Sequence, residues 1–245
     1  TGAIVGRQPF GGWKASSVGP GAKAGGPNYV LQLGHWRPHA RPAESAPLSP
    51  EVEALLARGL DALADDESRA MLRASAAAYA AAWRDHFGRE HEPIPLLGER
   101  NVFRYRACRR MVVRAEIATP AGRLALAQVL VAARICGTPV EISVAGGRLD
   151  SWVGGHDDPT GTIESEAELA ARLASATIGR LRALTPLTSA TRAAAHAAGV
   201  TVLDGPVLGA GRLELRAYLR EQAVSRVVHR YGTVMEPAEG SWPLA

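Results

Sequence analysis

Lysine is almost missing from this chain. Of 28 basic residues in 245, only Lys14 and Lys23 are lysines, and the rest are arginines. The arginines are scattered among 24 acids, so the net charge is only +4. They form no block interleaved with aromatics, which argues against nucleic-acid binding. Cysteine is equally scarce. Cys108 and Cys136 give no disulfide framework, which fits a reducing, cytoplasmic setting. No run of eighteen apolar residues occurs, and no signal-peptide pattern, so no membrane span is expected. The seven histidines lack ligand spacing. His35 and His39 are separated by Pro38, and His86 and His91 straddle Gly88, so zinc is not expected.

What is present is an ordinary globular composition, 47% hydrophobic, in a chain long enough for one large domain or two small ones. The densest signal lies in the first thirty residues. Gly2, Gly6, Gly11, Gly12, Gly19, Gly21, Gly25 and Gly26 free the backbone for tight turns and close approach to a ligand. Pro9 and Pro27 fix φ on either side. Phe10 is a lone aromatic within this run, suited either to a pocket wall or to anchoring a surface loop. No clear strand leads into the run and no apolar helix follows it, so it is not a dinucleotide-binding G-x-G-x-x-G turn.

Beyond the glycine run the chain divides. Residues 29–33 alternate like a short strand, and four prolines between positions 38 and 50 mark an extended linker. Ser49-Pro50-Glu51 supplies an N-cap, a first-turn proline and a first-turn acid. The helix that follows carries Val52, Leu55, Leu56, Leu60 and Leu63. A second helix over residues 66–87, stopped by Gly88, buries Leu72, Ala76, Tyr79, Trp83 and Phe87. From residue 101 the period changes. Strands are expected over 109–116, 139–145, 180–184, 200–203 and 223–230. Helices are expected over 120–136, 164–176, 189–198 and 211–222, with a loop over 146–162. Alternating strands and helices imply an α/β unit with a parallel, Rossmann-like sheet. Its first strand–helix turn, Glu116-Ile-Ala-Thr-Pro-Ala-Gly122, lacks the paired glycines of a dinucleotide site. Gly205-Pro-Val-Leu-Gly-Ala-Gly211 is a weak candidate phosphate loop, with a plain loop as the alternative.

Gln8-Pro-Phe-Gly-Gly-Trp-Lys-Ala-Ser16 resembles the late signature of the aldehyde dehydrogenases. Thr1-Gly-Ala3 and Gly25-Gly-Pro-Asn-Tyr29 resemble the branch that oxidises glutamate γ-semialdehyde (1-pyrroline-5-carboxylate). The resemblance covers residues 1 to 34. It implies that the amides of Gly2 and Ala3 receive the substrate's α-carboxylate, as an anion-binding turn of small residues can. It implies that Phe10 walls the aldehyde. The family's nucleophilic Cys and its Glu base precede Gln8, where this chain has only seven residues. The resemblance therefore implies that these 245 residues carry no catalytic residue and are the C-terminal piece of a longer NAD-dependent enzyme.

More loosely, residues 99–235 resemble the extra C-terminal domain of the long bifunctional proline-utilisation flavoenzymes. That domain is a degenerate copy of the aldehyde dehydrogenase nucleotide-binding domain and acts as a non-catalytic lid. The segment Leu219-Arg-Glu-Gln-Ala-Val-Ser-Arg-Val-Val-His-Arg-Tyr-Gly232 is similar to the tail of that family. The expected organisation is the end of an aldehyde dehydrogenase catalytic domain over 1–40, a proline-rich linker with two helices over 41–98, the Rossmann-like lid over 99–235, and a tail over 236–245. FAD is implied only if a proline dehydrogenase domain is fused upstream. The implied partners are the preceding catalytic domain and glutamate semialdehyde, and a homodimer stays open. The alternative is a purely structural or interaction module.

Three further features have bland and chemical readings. Cys108 lies between arginines that would lower its pKa, or simply at a strand edge. Cys136 ends an apolar helix as a small hydrophobe. His156-Asp157-Asp158 is the one polar cluster with the look of a site, though Asp157-Asp158-Pro159 is also ordinary turn chemistry.

Overall fold

The computed structural model describes residues 3–13, 16, 19, 21–37, 46–149, 152, 160–175, 178–227, 229–230 and 233–234. Gly2 and the His156-Asp157-Asp158 cluster lie outside the described residues.

A five-stranded parallel sheet organises the second half. Its strands are β2 (Met111–Ala115), β3 (Val140–Val144), β4 (Thr160–Ile163), β5 (Arg180–Ala183) and β6 (Thr201–Leu203), in the order β4-β3-β2-β5-β6. This is the expected Rossmann-like α/β architecture. The strand β1 (Glu99–Ala107) precedes the sheet, and β7 (Leu219–Val227) follows it.

Alternation along β2 explains how both sheet faces are covered. Met111, Val113 and Ala115 point into one cluster with helices α1 (Pro50–Asp61), α2 (Asp66–Ala82) and α3 (Pro120–Cys136). Val112 points into the other, with α4 (Glu166–Ser175) and α5 (Ser189–Ala197) supplying Leu169, Leu173 and Ala195. Burial on both faces is why these strands read as continuous apolar runs. Helix α3 starts where Thr119 accepts a hydrogen bond from the Gly122 amide and ends at Gly137, whose φ of +66° suits glycine.

Several elements depart from the sequence expectation. Residues 29–33 are not a strand. Val30–Leu33 is a 3-10 turn, closed by Leu31 and Gln32 amides donating to the Asn28 and Tyr29 carbonyls. No described strand lies alongside to pair with it. The expected loop over 146–162 contains the start of edge strand β4. Helix α2 gives way to a π-turn, Trp83–Phe87, before Gly88. The expected helix over 211–222 is only the short α6 (Gly211–Glu214) and a 3-10 turn, Leu215–Tyr218. The chain then becomes β7, so the strand expected over 223–230 in the parallel sheet begins earlier, at Leu219, and does not join that sheet. It pairs antiparallel with β1 from Glu99↔Val227 to Ala107↔Leu219. Cross-strand apolar pairs such as Val102↔Val224 and Phe103↔Ala223 favour this partner over local helix formation.

Candidate functional site

Three glycine-rich motifs quoted from the sequence meet at one place. The Ile4–Gln8 turn is closed by reciprocal amide–carbonyl bonds of 3.0 and 2.9 Å. The Gly6 amide donates to the Gly25 carbonyl at 3.0 Å, which lays Gly25-Gly26 against the first turn. Gly25 has φ +76°, and a methyl there would come within 3.2 Å of the Val5 backbone and 3.5 Å of Ala3. Phe10 and Ala24 exchange amide–carbonyl bonds of 3.1 and 2.9 Å. The outgoing arm through Phe10 and the return arm through Ala24 thus form a narrow loop. Ala3 is half-buried, whereas the Phe10 side chain is 67% exposed. Phe10 lines an open cleft of about 620 Å³ with Gly11, Tyr29, Leu33, Trp36 and Arg216.

This loop is tied to β7 by a buried polar network. The Glu221 carboxylate accepts from the Lys23 amide at 2.6 Å and from Asn28 Nδ2 at 2.7 Å. Asn28 also donates to the Tyr105 hydroxyl at 2.8 Å and accepts from Arg212 at 2.8 Å. Arginine can only donate and carboxylate only accept, so the amide orientation of Asn28 is fixed. The Tyr105 hydroxyl lies 2.7 Å from His86 Nε2. Burial pushes Tyr105 up to about 12, so it is neutral. Its oxygen accepts from Asn28, which leaves its proton for His86.

His86 and His91, which the sequence offers only as a rejected metal pair, stack with ring centroids 4.5 Å apart. The π-turn and the return of His91 to Phe103 bring them together. Among the described residues no group of three or more His, Cys, Asp or Glu could hold a metal ion. Burial, then Arg212, then His91 lower His86 to about 3. Its folded value lies below the unfolded value near 6.5, so the unfolded chain takes up the proton first. Stability from neutral His86 is full above about pH 6.5 and is lost as pH falls from there toward 3. The ring is half-exposed, so the nominal 1.36 kcal/mol per unit is roughly halved, giving about 1 kcal/mol lost at pH 5. Urea midpoints of wild type relative to His86→Gln are expected to converge between pH 7 and pH 5. A difference that stays flat across that range would rule out the neutral histidine.

Neither cysteine belongs to this site. Cys108 follows β1 and is fully buried. Its thiol is pushed up by burial, which outweighs the opposing Arg180 and Arg220 charges. Burial thus favours the strand-edge reading of Cys108 over an arginine-activated thiol. Cys136 is buried at the end of α3, and burial pushes its thiol well up.

At the carboxyl ends of β2, β5 and β6 lies a second cleft of about 800 Å³, lined by Glu116, Thr119, Gly122, Leu184, Arg192 and Asp204. A doubly wound fold holds a nucleotide in this position. Of the glycine roles in such a turn, Gly122 fills only close helix–strand packing. A methyl there would sit 2.0 Å from the Glu116 carbonyl oxygen. The Ala118 amide donates to the Glu116 carboxylate at 2.7 Å and the Gly122 amide to Thr119 at 3.0 Å. Pro120 has no amide proton. Two of the turn amides are thus already engaged, and a carboxylate stands beside them. The loop over 205–211 is no better. It leads into the four-residue α6, and the Leu208 amide is taken by Glu214 at 2.9 Å.

No family model matches the sequence, and no curated protein matches it. Among solved structures, the chain is similar to proline utilization A (PutA) from Corynebacterium freiburgense. That likeness has 36% identity and a TM-score of 0.68 over 96% of this chain and 20% of that one. A mutant PutA from Bradyrhizobium japonicum is matched at 20% identity and TM-score 0.43, over 64% of this chain and 19% of that one. An NAD-dependent benzaldehyde dehydrogenase from Corynebacterium glutamicum is matched at 16% identity and TM-score 0.41, over 63% and 41%. The chain thus spans about a fifth of the length of the PutA proteins it resembles. No helix among the described residues is long and apolar enough to cross a membrane.

Proposed function

We propose that this chain is the C-terminal part of an NAD-dependent L-glutamate γ-semialdehyde dehydrogenase of proline catabolism, working in the cytoplasm. The reading is carried by the likeness to a proline utilization A protein, 36% identical over 96% of the chain. In it, residues 1–40 complete the catalytic domain, 41–98 link, and 99–235 form a non-catalytic lid. The nucleophilic Cys, the Glu base and the NAD site belong to preceding parts of the polypeptide. FAD enters only with a fused proline dehydrogenase domain.

The work of these residues is to hold the substrate. Gly2 and Ala3 offer backbone amides to the α-carboxylate, and Phe10 walls the aldehyde end. The closed Ile4–Gln8 turn and its contact with Gly25 support a rigid anchor beside Ala3. Gly2→Val in the longer enzyme should block the carboxylate and leave an aldehyde without one much less affected. Losing such a charge-assisted contact costs about 2–3 kcal/mol, roughly 30- to 150-fold in kcat/KM. The check compares glutamate semialdehyde with a simple aliphatic aldehyde. An equal fall for both would make the loop merely structural. The lid itself is expected to bind no NAD, because its Ala118 and Gly122 amides are already used and Pro120 has none. Calorimetric titration of the chain with NAD should give no heat of binding, and micromolar affinity would contradict this.

A further inference from the structure

We infer that Glu221 is a positioning residue: reaching from β7, it latches both arms of the Phe10 loop, the return arm by its carboxylate and the outgoing arm by its main-chain carbonyl, and sets where that loop stands. What the loop does for substrate rests on the proposed function, but the latch does not. One residue makes three bonds to the loop. Its two carboxylate oxygens take the Lys23 amide at 2.6 Å and Asn28 Nδ2 at 2.7 Å on the return arm. Its main-chain carbonyl takes the Trp13 indole N–H at 2.8 Å on the outgoing arm. Lys23 Nζ then crosses to the Gly11 carbonyl, joining the arms.

Burial makes these bonds decisive. Asn28, Glu221 and Lys23 are 1%, 7% and 8% exposed, so water replaces no lost partner. Glycine-rich backbone costs more entropy to order than any other, and among the described residues the arms share the Phe10–Ala24 pair of backbone bonds and the Gly6–Gly25 bond. Trp13 adds a wall between two cations, with Lys23 Nζ 5.4 Å and the Arg220 guanidinium 5.7 Å from its ring centre. That arrangement also depends on β7. The partner residues lie 193 to 208 positions apart in sequence. The glycine signature and the tail segment, which the sequence offers as separate motifs, are therefore one construction.

The chemistry supplies a sharp test. Both partners of the carboxylate are donors, so the amide of Glu221→Gln satisfies one and faces the other with its own N–H. A merely space-filling residue would tolerate that isosteric change. Hydrogen exchange on the 245-residue chain should quicken by at least about tenfold at the Lys23, Ala24 and Phe10 amides in Glu221→Gln. The β2 and β5 amides should keep their wild-type rates, which also confirms folding. Unchanged exchange at Lys23 and Ala24 overturns the latch. In the longer enzyme, Glu221→Gln should raise KM for glutamate semialdehyde about tenfold, with kcat little altered and an aliphatic aldehyde little affected. Faster exchange with equal losses for both aldehydes upholds the latch and instead removes the carboxylate anchor from the proposed function.

Discussion

Replacing Glu214 with leucine is expected to cost the chain about 3–5 kcal/mol, the range for a buried ion pair broken from one side. Glu214 and Arg182 have side chains 3% and 4% exposed, with Arg182 Nη2 3.3 Å from Glu214 Oε1. The same carboxylate accepts the Tyr218 hydroxyl at 2.9 Å and the Leu208 amide at 2.9 Å. Arg182 cannot retreat to solvent. Its other bonds run to the carbonyls of Leu203, at the end of β6, and of Gly205 and Pro206 beyond it, which pin it inside. Leucine would therefore strand a guanidinium, a phenol and an amide together. Removing the charge as well, in Arg182→Met with Glu214→Leu, should recover part of the loss, because the desolvated cation goes too. Urea midpoints of the two single mutants and the double mutant measure this. A cost below about 1 kcal/mol for Glu214→Leu would place the pair in solvent, where such contacts are weak.

The parallel sheet was legible because its signals are local. Strands buried on both faces appear as apolar runs. Thr119-Pro120, Gly137 and Gly199 punctuate the helices by side-chain capping and by φ values of +66° and +68° at the glycines. The β1–β7 ribbon was legible only as the strand expected over 223–230; β1 and the antiparallel pairing were not. Its strands carry Arg100, Arg104, Arg106, Arg220 and Arg226 among their apolar residues, so neither shows a clean period, and each is completed only by a distant partner. Over residues 211–222 the content of Leu, Glu and Arg favours helix. The β7 ladder begun at Leu219, paired with β1, overrides it. The site divides the same way. Ala3 and Phe10 stand in a recognisable motif. Glu221, Tyr105 and His86 were hidden because a buried polar network depends on partners far along the chain. A signal did exist: Asn28 and Glu221 both sit in segments singled out by resemblance, but nothing in either segment names the other.

That pairing makes Asn28→Asp the most revealing substitution in the network. The change leaves shape almost untouched, so packing cannot explain its effect. It replaces a donor with an acceptor where Asn28 Nδ2 meets Glu221 Oε1 at 2.7 Å and the Tyr105 hydroxyl at 2.8 Å. Two carboxylates would then face each other in a site where both residues are under a tenth exposed. Arg212 still donates to the retained oxygen, at 2.8 Å in the parent, and Arg216 lies close enough to influence Glu221 and Tyr105 in the same cleft. These cations temper the repulsion without restoring the lost donor. A stability loss on the order of 3 kcal/mol is expected at pH 7.5. Like charges raise the folded pKa of one carboxyl above its unfolded value near 4. The penalty is therefore absent below that unfolded value and grows as pH rises to the folded one. Relative to wild type, Asn28→Asp should regain much of its urea midpoint between pH 7.5 and pH 5. Asn28→Ala loses the same hydrogen bonds without adding charge, so its deficit should stay level over that range. If the two deficits run parallel with pH, Asn28 does not face the Glu221 carboxylate.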